Sequence, residues 1–459
     1  MNRKSSWIIL SVLVMTSLVL SACAPAATPA QQPAAQQPTA QQPAAQQPTA
    51  QQPTAQSAAK EMVTIRWRTR PDNQAEQDVY QQISDELSKK LEPQGIKLQY
   101  DPAPVSGYFD KLTTEYSAGN APDIAWVGGA NTADYTPKGV IMDLKPLADA
   151  DKSFNVANFY EAPMKELEQG GKLWGLPRDI STLVMYYNKD MFKAAGLPDP
   201  ADQAAKGEWN WDAFRNAAIK LTDPAKKQYG FSMSNWWGLW GWFVNSGGGS
   251  LFNADRTACN LTDPGSIKGL QFMADLFLKD KIAPPPGVEG GVSETDFHAG
   301  NVGMFPNGRW MTPSMRQDKF DWGVVEMPTS NDGKKSTWLF WGPYLISAKT
   351  KYPDQAWTVL KELTSPEVQA RIAALGTNIP SNKDKAAVDA FLNSKPPADN
   401  TPFVKGADYA NAEMALFTGN WGDIGAAYQT EIDKIFAGQA TPEQAAQQAC
   451  DNANPMFKK

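Results

Sequence analysis

A chain of 459 residues, 42% of them hydrophobic, carries enough apolar material for packed cores, and at roughly 100 to 200 residues per domain it should hold two to four domains. Its 43 Lys and Arg against 49 Asp and Glu give a formal charge of −6, which leaves no basic footprint for nucleic acid. A single histidine, His298, and three cysteines exclude zinc sites built from four cysteines or paired histidines and iron–sulfur clusters held by four cysteines, so no metal or cofactor is expected.

Arg3 and Lys4 precede an uncharged run over residues 7–20, too short to span about 30 Å of hydrocarbon as a helix, which reads as the apolar core of a signal peptide over 1–22. The run ends in Leu20-Ser21-Ala22-Cys23, small residues before a cysteine, and this resembles the lipobox of bacterial lipoproteins. Cys23 would then be the acylated N-terminus of the mature protein, held at the outer face of the cell membrane. Residues 24–59 hold no charge and repeat a Gln-Gln-Pro unit that cannot bury a core. A tether over 23–60 is expected, extended by up to about 3.1 Å per residue, on the order of 110 Å.

Val63, Ile65 and Trp67 alternate with polar residues, the mark of a half-buried strand, and Val79, Ile83, Leu87 and Leu91 then recur every fourth residue on one helical face. Residues 93–95 break that helix and 96–100 alternate again; Phe109, Leu112 and Tyr116 mark a second helix, and 123–127 a third strand. The alternation predicts a parallel α/β sheet, whose ligands bind beyond the carboxyl ends of the strands, where Arg70 and Asp72 follow the first strand and Trp126 to Asn131 the third. A further strand is expected over 183–187, with helices over 211–221, 267–278, 353–363 and 366–374. The last helix starts at Pro442, behind a capping-box pair of Thr441 and Gln444.

Sixteen tryptophans are more than a core needs, and Trp236, Trp237, Trp240 and Trp242 fall within seven positions, with Trp310, Trp338, Trp341 and Trp421 beyond them. The face of an indole suits the axial C–H face of a pyranose, so the set points to Trp-rich loops that stack on sugar. Flanking residues such as Asn235, Gly238, Gly241, Asn245 and Gly308 let backbone approach a ligand. Arg70, Asp72, Arg178, Asp179 and Arg309 supply charge-assisted partners for hydroxyls. Gly247-Gly248-Gly249 reads as a turn because it lacks the ending of a phosphate-binding loop, and His298 reads as a surface residue. A glycoside hydrolase or lyase would need two carboxylates about 5 to 10 Å apart; Asp179 and Glu294 are candidates, but no spacing singles them out. Once lipid occupies Cys23, Cys259 and Cys450 are left as a pair in an oxidising compartment, where a disulfide is expected.

Five segments then occur in a familiar order: Ser117-Ala118-Gly119-Asn120-Ala121-Pro122-Asp123, Lys172-Leu173-Trp174-Gly175-Leu176-Pro177, Tyr187-Asn188-Lys189-Asp190-Met191-Phe192 with Gly196-Leu197-Pro198, Phe297-His298-Ala299-Gly300-Asn301-Val302-Gly303-Met304, and Gly308-Arg309-Trp310. Over residues 63–454 the chain resembles the family 1 extracellular solute-binding proteins of bacterial ABC importers, the group that includes maltose-binding protein. The resemblance implies a periplasmic-binding-protein-like α/β fold of two lobes with a hinge and an interlobe ligand cleft. Lobe I would comprise 61–178 plus 343–390 and lobe II 179–342 plus 391–459, with chain crossings near 176–182, 341–347 and 386–401. It implies a monomeric, non-catalytic and extracytoplasmic protein that captures a carbohydrate for permease subunits in the membrane. Ligand contacts are expected from Arg70, Asp72, Trp126, Arg178, Asp179, Trp236, Trp237, Trp240, Trp310, Trp341, Tyr344 and Trp421. The alternatives are a surface-anchored glycoside hydrolase and a binding protein for a polar non-sugar such as glycerol 3-phosphate.

Overall fold

Eleven strands and a larger number of helices form the part of the chain that the structure, a computed structural model, describes: residues 61–457 apart from 72, 105 and 412–419. The expected signal peptide, Cys23, the tether and Asp72 lie outside the described residues. The strands are β1 (Val63–Arg68), β2 (Ile96–Tyr100), β3 (Ile124–Trp126), β4 (Glu168–Gln169), β5 (Lys172–Leu173), β6 (Leu176–Thr182), β7 (Val184–Asn188), β8 (Met304–Asn307), β9 (Trp322–Glu326), β10 (Leu339–Ile346) and β11 (Ile379–Pro380). Six of them make a first sheet in the order β11-β6-β10-β3-β1-β2, and three make a second, β8-β7-β9.

The first sheet starts as the periodicity predicts. Ile65 and Trp67 of β1 are buried, and the helix Gln74–Leu91 turns Ile83, Leu87 and Leu91 onto the sheet, with Tyr80 rather than the expected Val79, which is half-buried, completing the buried face. Asn73 caps that helix by accepting from the Glu76 amide, and Gly95 at φ 74° reverses the chain into β2. β1 runs parallel to β2 and β3, with Val63 opposite Ile96 and Trp67 opposite Ile124. The rest of the sheet corrects the all-parallel expectation, since β10 is antiparallel to β3 and to β6, and β11 is antiparallel to β6. β10 enters the sheet directly from β9, with no helix between them, and so is free to run against β3 and β6, whereas β11 follows β10 through two helices and keeps its direction.

They instead connect the two sheets. After β6 only Leu183 separates Thr182 from Val184, the first residue of β7 in the second sheet. β10 follows β9 and returns the chain to the first sheet. A third passage runs over residues 393–400, from the helix Lys385–Leu392, packed on β11 and the helix Pro366–Ala374, to the helix Thr401–Gly406, packed on β6, β7 and β9. Helices over Trp211–Leu221, Pro353–Leu363 and Pro442–Ala453 lie where their periodicity and caps place them, and the Thr441–Gln444 capping box is formed.

One segment differs in kind from its expectation. Trp237–Gly247 is a helix rather than a Trp-rich loop, and every residue from Gly238 to Gly247 is buried. A helix enclosed on all sides has no polar stripe, so its sequence shows no helical period. Cys259 and Cys450 are joined in a disulfide with a Cα–Cα distance of 5.2 Å, tying a turn near Phe252 to the helix Pro442–Ala453. Among the described residues no helix is long and apolar enough to cross a membrane.

Candidate functional site

A cleft of about 480 Å³ opens where the crossing strands pass between the sheets. Arg70, just beyond β1, and Trp126, the last residue of β3, reach it from the carboxyl ends of their strands. Arg178, Asp179 and Ser181 come from β6, Trp341 and Gly342 from β10, and Asn378 from the residue before β11. The opposite wall is aromatic: Trp236 and Trp237 stand at the start of the helix Trp237–Gly247, beside Trp310 and Phe340.

The polar side is fixed by its own bonds. The Arg178 guanidinium donates to the Asp179 carboxylate, to Thr69 Oγ1 at 2.8 Å and to the Tyr80 hydroxyl at 3.2 Å. Burial is the largest influence on this group and disfavours its charge, yet the Asp179 carboxylate and the other groups facing it hold its pKa well above the ordinary value. Its guanidinium carbon stands 4.7 Å from the centre of the Trp126 ring, and that of Arg70 stands 5.1 Å from the same ring. The indole thus has two cations within cation–π reach. Trp126 Nε1 and Asn378 Nδ2 line the cleft, are more than nine-tenths buried, and find no hydrogen-bond partner among the described residues. Both are donors that a ligand oxygen can satisfy.

On the other wall the rings brace one another. Phe340 lies 5.2 Å from Trp236 and 5.3 Å from Trp310, and Trp236 and Trp310 meet edge to face at 6.5 Å. Trp236, Trp237, Trp310 and Phe340 are all half-buried, leaving part of each ring for a ligand. The flanking glycines serve these rings rather than the ligand. A Cβ on Gly308 would fall 2.1 Å from the Trp310 ring and one on Gly238 would fall 2.5 Å from the Trp236 ring.

Eight expected contact residues, Arg70, Trp126, Arg178, Asp179, Trp236, Trp237, Trp310 and Trp341, therefore line one cleft. Three do not. Trp240 is fully buried and donates to Gln429 Oε1 at 2.9 Å. Tyr344 is fully buried against Trp67, and Trp421 packs edge-on against Trp237 at 5.3 Å, behind the wall. Arg309 does not face the cleft either: its side chain is fully buried among Phe391, Phe403, Ser394 and Asn400, and burial pulls its pKa down to about 9. Glu294 accepts from Asn307 at 3.2 Å and is not part of the cleft lining, so Asp179 and Glu294 do not converge there. Gly128, Gly129 and Asn131 line it from the stretch expected beyond the third strand, while Phe109, Ser181, Phe340, Gly342 and Asn378 complete the lining without having been named as ligand contacts. Of these five, Phe340 and Gly342 had a nearby signal, in their neighbour Trp341.

A wider hollow of about 1010 Å³ surrounds His298, which pairs with Asp318 at 2.7 Å. Its lining carries exposed lysines and one aromatic ring, Phe320, so it offers no stacking platform. No group of three or more His, Cys, Asp or Glu side chains among the described residues could hold a metal ion.

The profile of the bacterial extracellular solute-binding proteins matches residues 72–370. The galactooligosaccharide-binding protein of Bacillus subtilis is 22% identical over 386 residues, covering 82% of this chain and 86% of that protein. The maltodextrin-binding protein of the same organism is 24% identical over 291 residues, covering 61% of this chain and 66% of that protein. An ABC substrate-binding protein of Listeria monocytogenes, solved in complex with cycloalternan, superposes with a TM-score of 0.77 at 24% identity over 86% of this chain and 99% of that one. With its two larger sheets joined by crossing strands around an aromatic and polar cleft, the chain belongs to the bacterial extracellular solute-binding proteins.

Proposed function

We propose that the protein captures a carbohydrate, a sugar or oligosaccharide, in this cleft and delivers it to the permease subunits of an ABC importer. The observation that carries the reading is the pairing of an aromatic wall, Trp236, Trp310 and Phe340, with a polar wall of Arg178, Asp179 and Asn378. A pyranose has apolar C–H faces and a rim of hydroxyls, and the two walls match those two surfaces. The relatives named for maltodextrin and galactooligosaccharide support the same ligand class. The lobes proposed are 61–178 plus 343–390 and 179–342 plus 391–459, closing about the strands that cross between the sheets. Binding without turnover fits a cleft whose Asp179 is engaged by Arg178 and faces no second carboxylate among its described lining residues.

Mass action predicts that a bound sugar raises the melting temperature of the purified protein. A thermal-shift panel of maltotetraose, galactooligosaccharides, cycloalternan and monosaccharides tests it, with glycerol 3-phosphate as the non-sugar arm. A shift with glycerol 3-phosphate alone, or release of product from any sugar, overturns the reading. The lipobox motif supports anchorage through Cys23. Cys23→Ser should therefore move the protein from the membrane fraction to the soluble fraction, and unchanged fractionation would remove the anchor from the scheme.

A further inference from the structure

Arg309 is buried completely, yet it makes no ion pair among the described residues. Its guanidinium lies between two phenyl rings, 4.8 Å from the centre of Phe391 and 5.0 Å from that of Phe403. Nη1 donates to Asn400 Oδ1 and Nη2 donates to Ser394 Oγ at 2.9 Å. Both acceptors sit on the third passage between the sheets. The backbone amide of Arg309 donates to Ser181 Oγ at 2.8 Å, and Ser181 belongs to β6, the first passage. One residue earlier, the Gly308 carbonyl accepts from the Tyr186 hydroxyl at 3.1 Å.

A cation held in an apolar pocket without a carboxylate opposes folding, so packing alone does not explain it. A methionine or leucine would fill the same space. What only the planar fork of arginine supplies is a set of donors that bridges two points of a neighbouring segment at once. The next residue, Trp310, is the half-buried ring of the cleft wall, placed between Trp236 and Phe340.

We propose that Arg309 is a positioning residue: by clasping the first and third chain passages through Ser181, Ser394 and Asn400, it sets the angle at which Trp310 is presented to the ligand. Its effect on affinity rests on the carbohydrate reading above, whereas its effect on Trp310 does not. When the lobes move about these passages, the ring moves with them, so the stacking surface forms in register with closure.

Two measurements test this separately. In protein labelled with 5-fluorotryptophan, the Trp310 resonance is identified by its loss in Trp310→Phe, and Arg309→Met should shift or broaden it in the absence of any ligand, while the Trp209 resonance stays in place. An unmoved Trp310 resonance overturns the inference whether or not a sugar binds. If Arg309→Met fails to fold, Ser394→Ala removes one bond of the clasp and should give a smaller change in the same direction. For affinity, calorimetric titration with the sugar that shifts melting most should show Arg309→Met weakening binding about tenfold, within the range of couplings between contacting residues. In the Trp310→Ala background the same change should cost less than about twofold, because Arg309 acts through that ring. Equal losses in both backgrounds would show a general structural role and overturn it.

Discussion

Trp310→Ala should weaken carbohydrate binding by about 1 to 3 kcal/mol, roughly 5- to 150-fold, while the unfolding transition of the free protein changes little. The ring is only half-buried and rests on Phe340 and Trp236, so removing it opens the cleft wall rather than a closed core. The lost term is the apolar contact between indole and pyranose, together with water excluded from the polar wall opposite. Trp240→Phe is the control: that ring is fully buried and its nitrogen bonds Gln429, so its removal should be felt in stability and not in affinity. Titration calorimetry and urea denaturation on both variants separate the cases. Unchanged affinity in Trp310→Ala would show that the ring only packs on its neighbours.

The same contrast explains what the sequence could disclose. Helices with one buried face, such as Gln74–Leu91 and Pro353–Leu363, announce themselves because water on the other side imposes a period. The helix Trp237–Gly247 has no wet side and therefore no period. β1 and β2 were legible from alternation, but β6 and β8 to β11 were not predicted as strands, and the antiparallel sense of β10 follows from its arrival from β9 in the other sheet, which local pattern does not record. Cleft residues were found where residue type itself was the signal, as for Trp126, Trp236 and Trp310. Asn378 and Ser181 carry no such signal, being ordinary polar residues brought to the cleft by β11 and β6. Charge misled in the opposite direction. Arg68 falls on the polar side of the first strand's alternation and Arg309 was expected to bond ligand hydroxyls, yet Arg68 is buried against Asp101 at 2.6 Å and Arg309 is buried with neutral partners away from the cleft.

Loss of the bridge between Cys259 and Cys450 should have the largest effect on stability. The two positions are 191 residues apart, and the chain-entropy model assigns a loop of that size on the order of 5 kcal/mol, with measured removals of native bridges at about 2 to 5 kcal/mol. The mechanism acts on the unfolded chain, which the bond prevents from expanding, so Cys450→Ser should lower the urea midpoint and steepen the denaturant dependence as more surface becomes exposed on unfolding. Local packing adds to this, because Cys450 is buried on the alanine-lined face of the helix Pro442–Ala453 and Asn454 Oδ1 accepts from the Cys259 amide at 2.9 Å. That helix packs on Pro264–Ala274 and Trp421–Phe436, and neither cysteine lines the cleft, so sugar affinity should be unaltered. Reductant should destabilise the parent protein and leave Cys450→Ser unchanged. Mass spectrometry of unreduced, alkylated protein gives the direct test: if both Cys259 and Cys450 take the label, the bond is absent and the stability difference must come from packing alone.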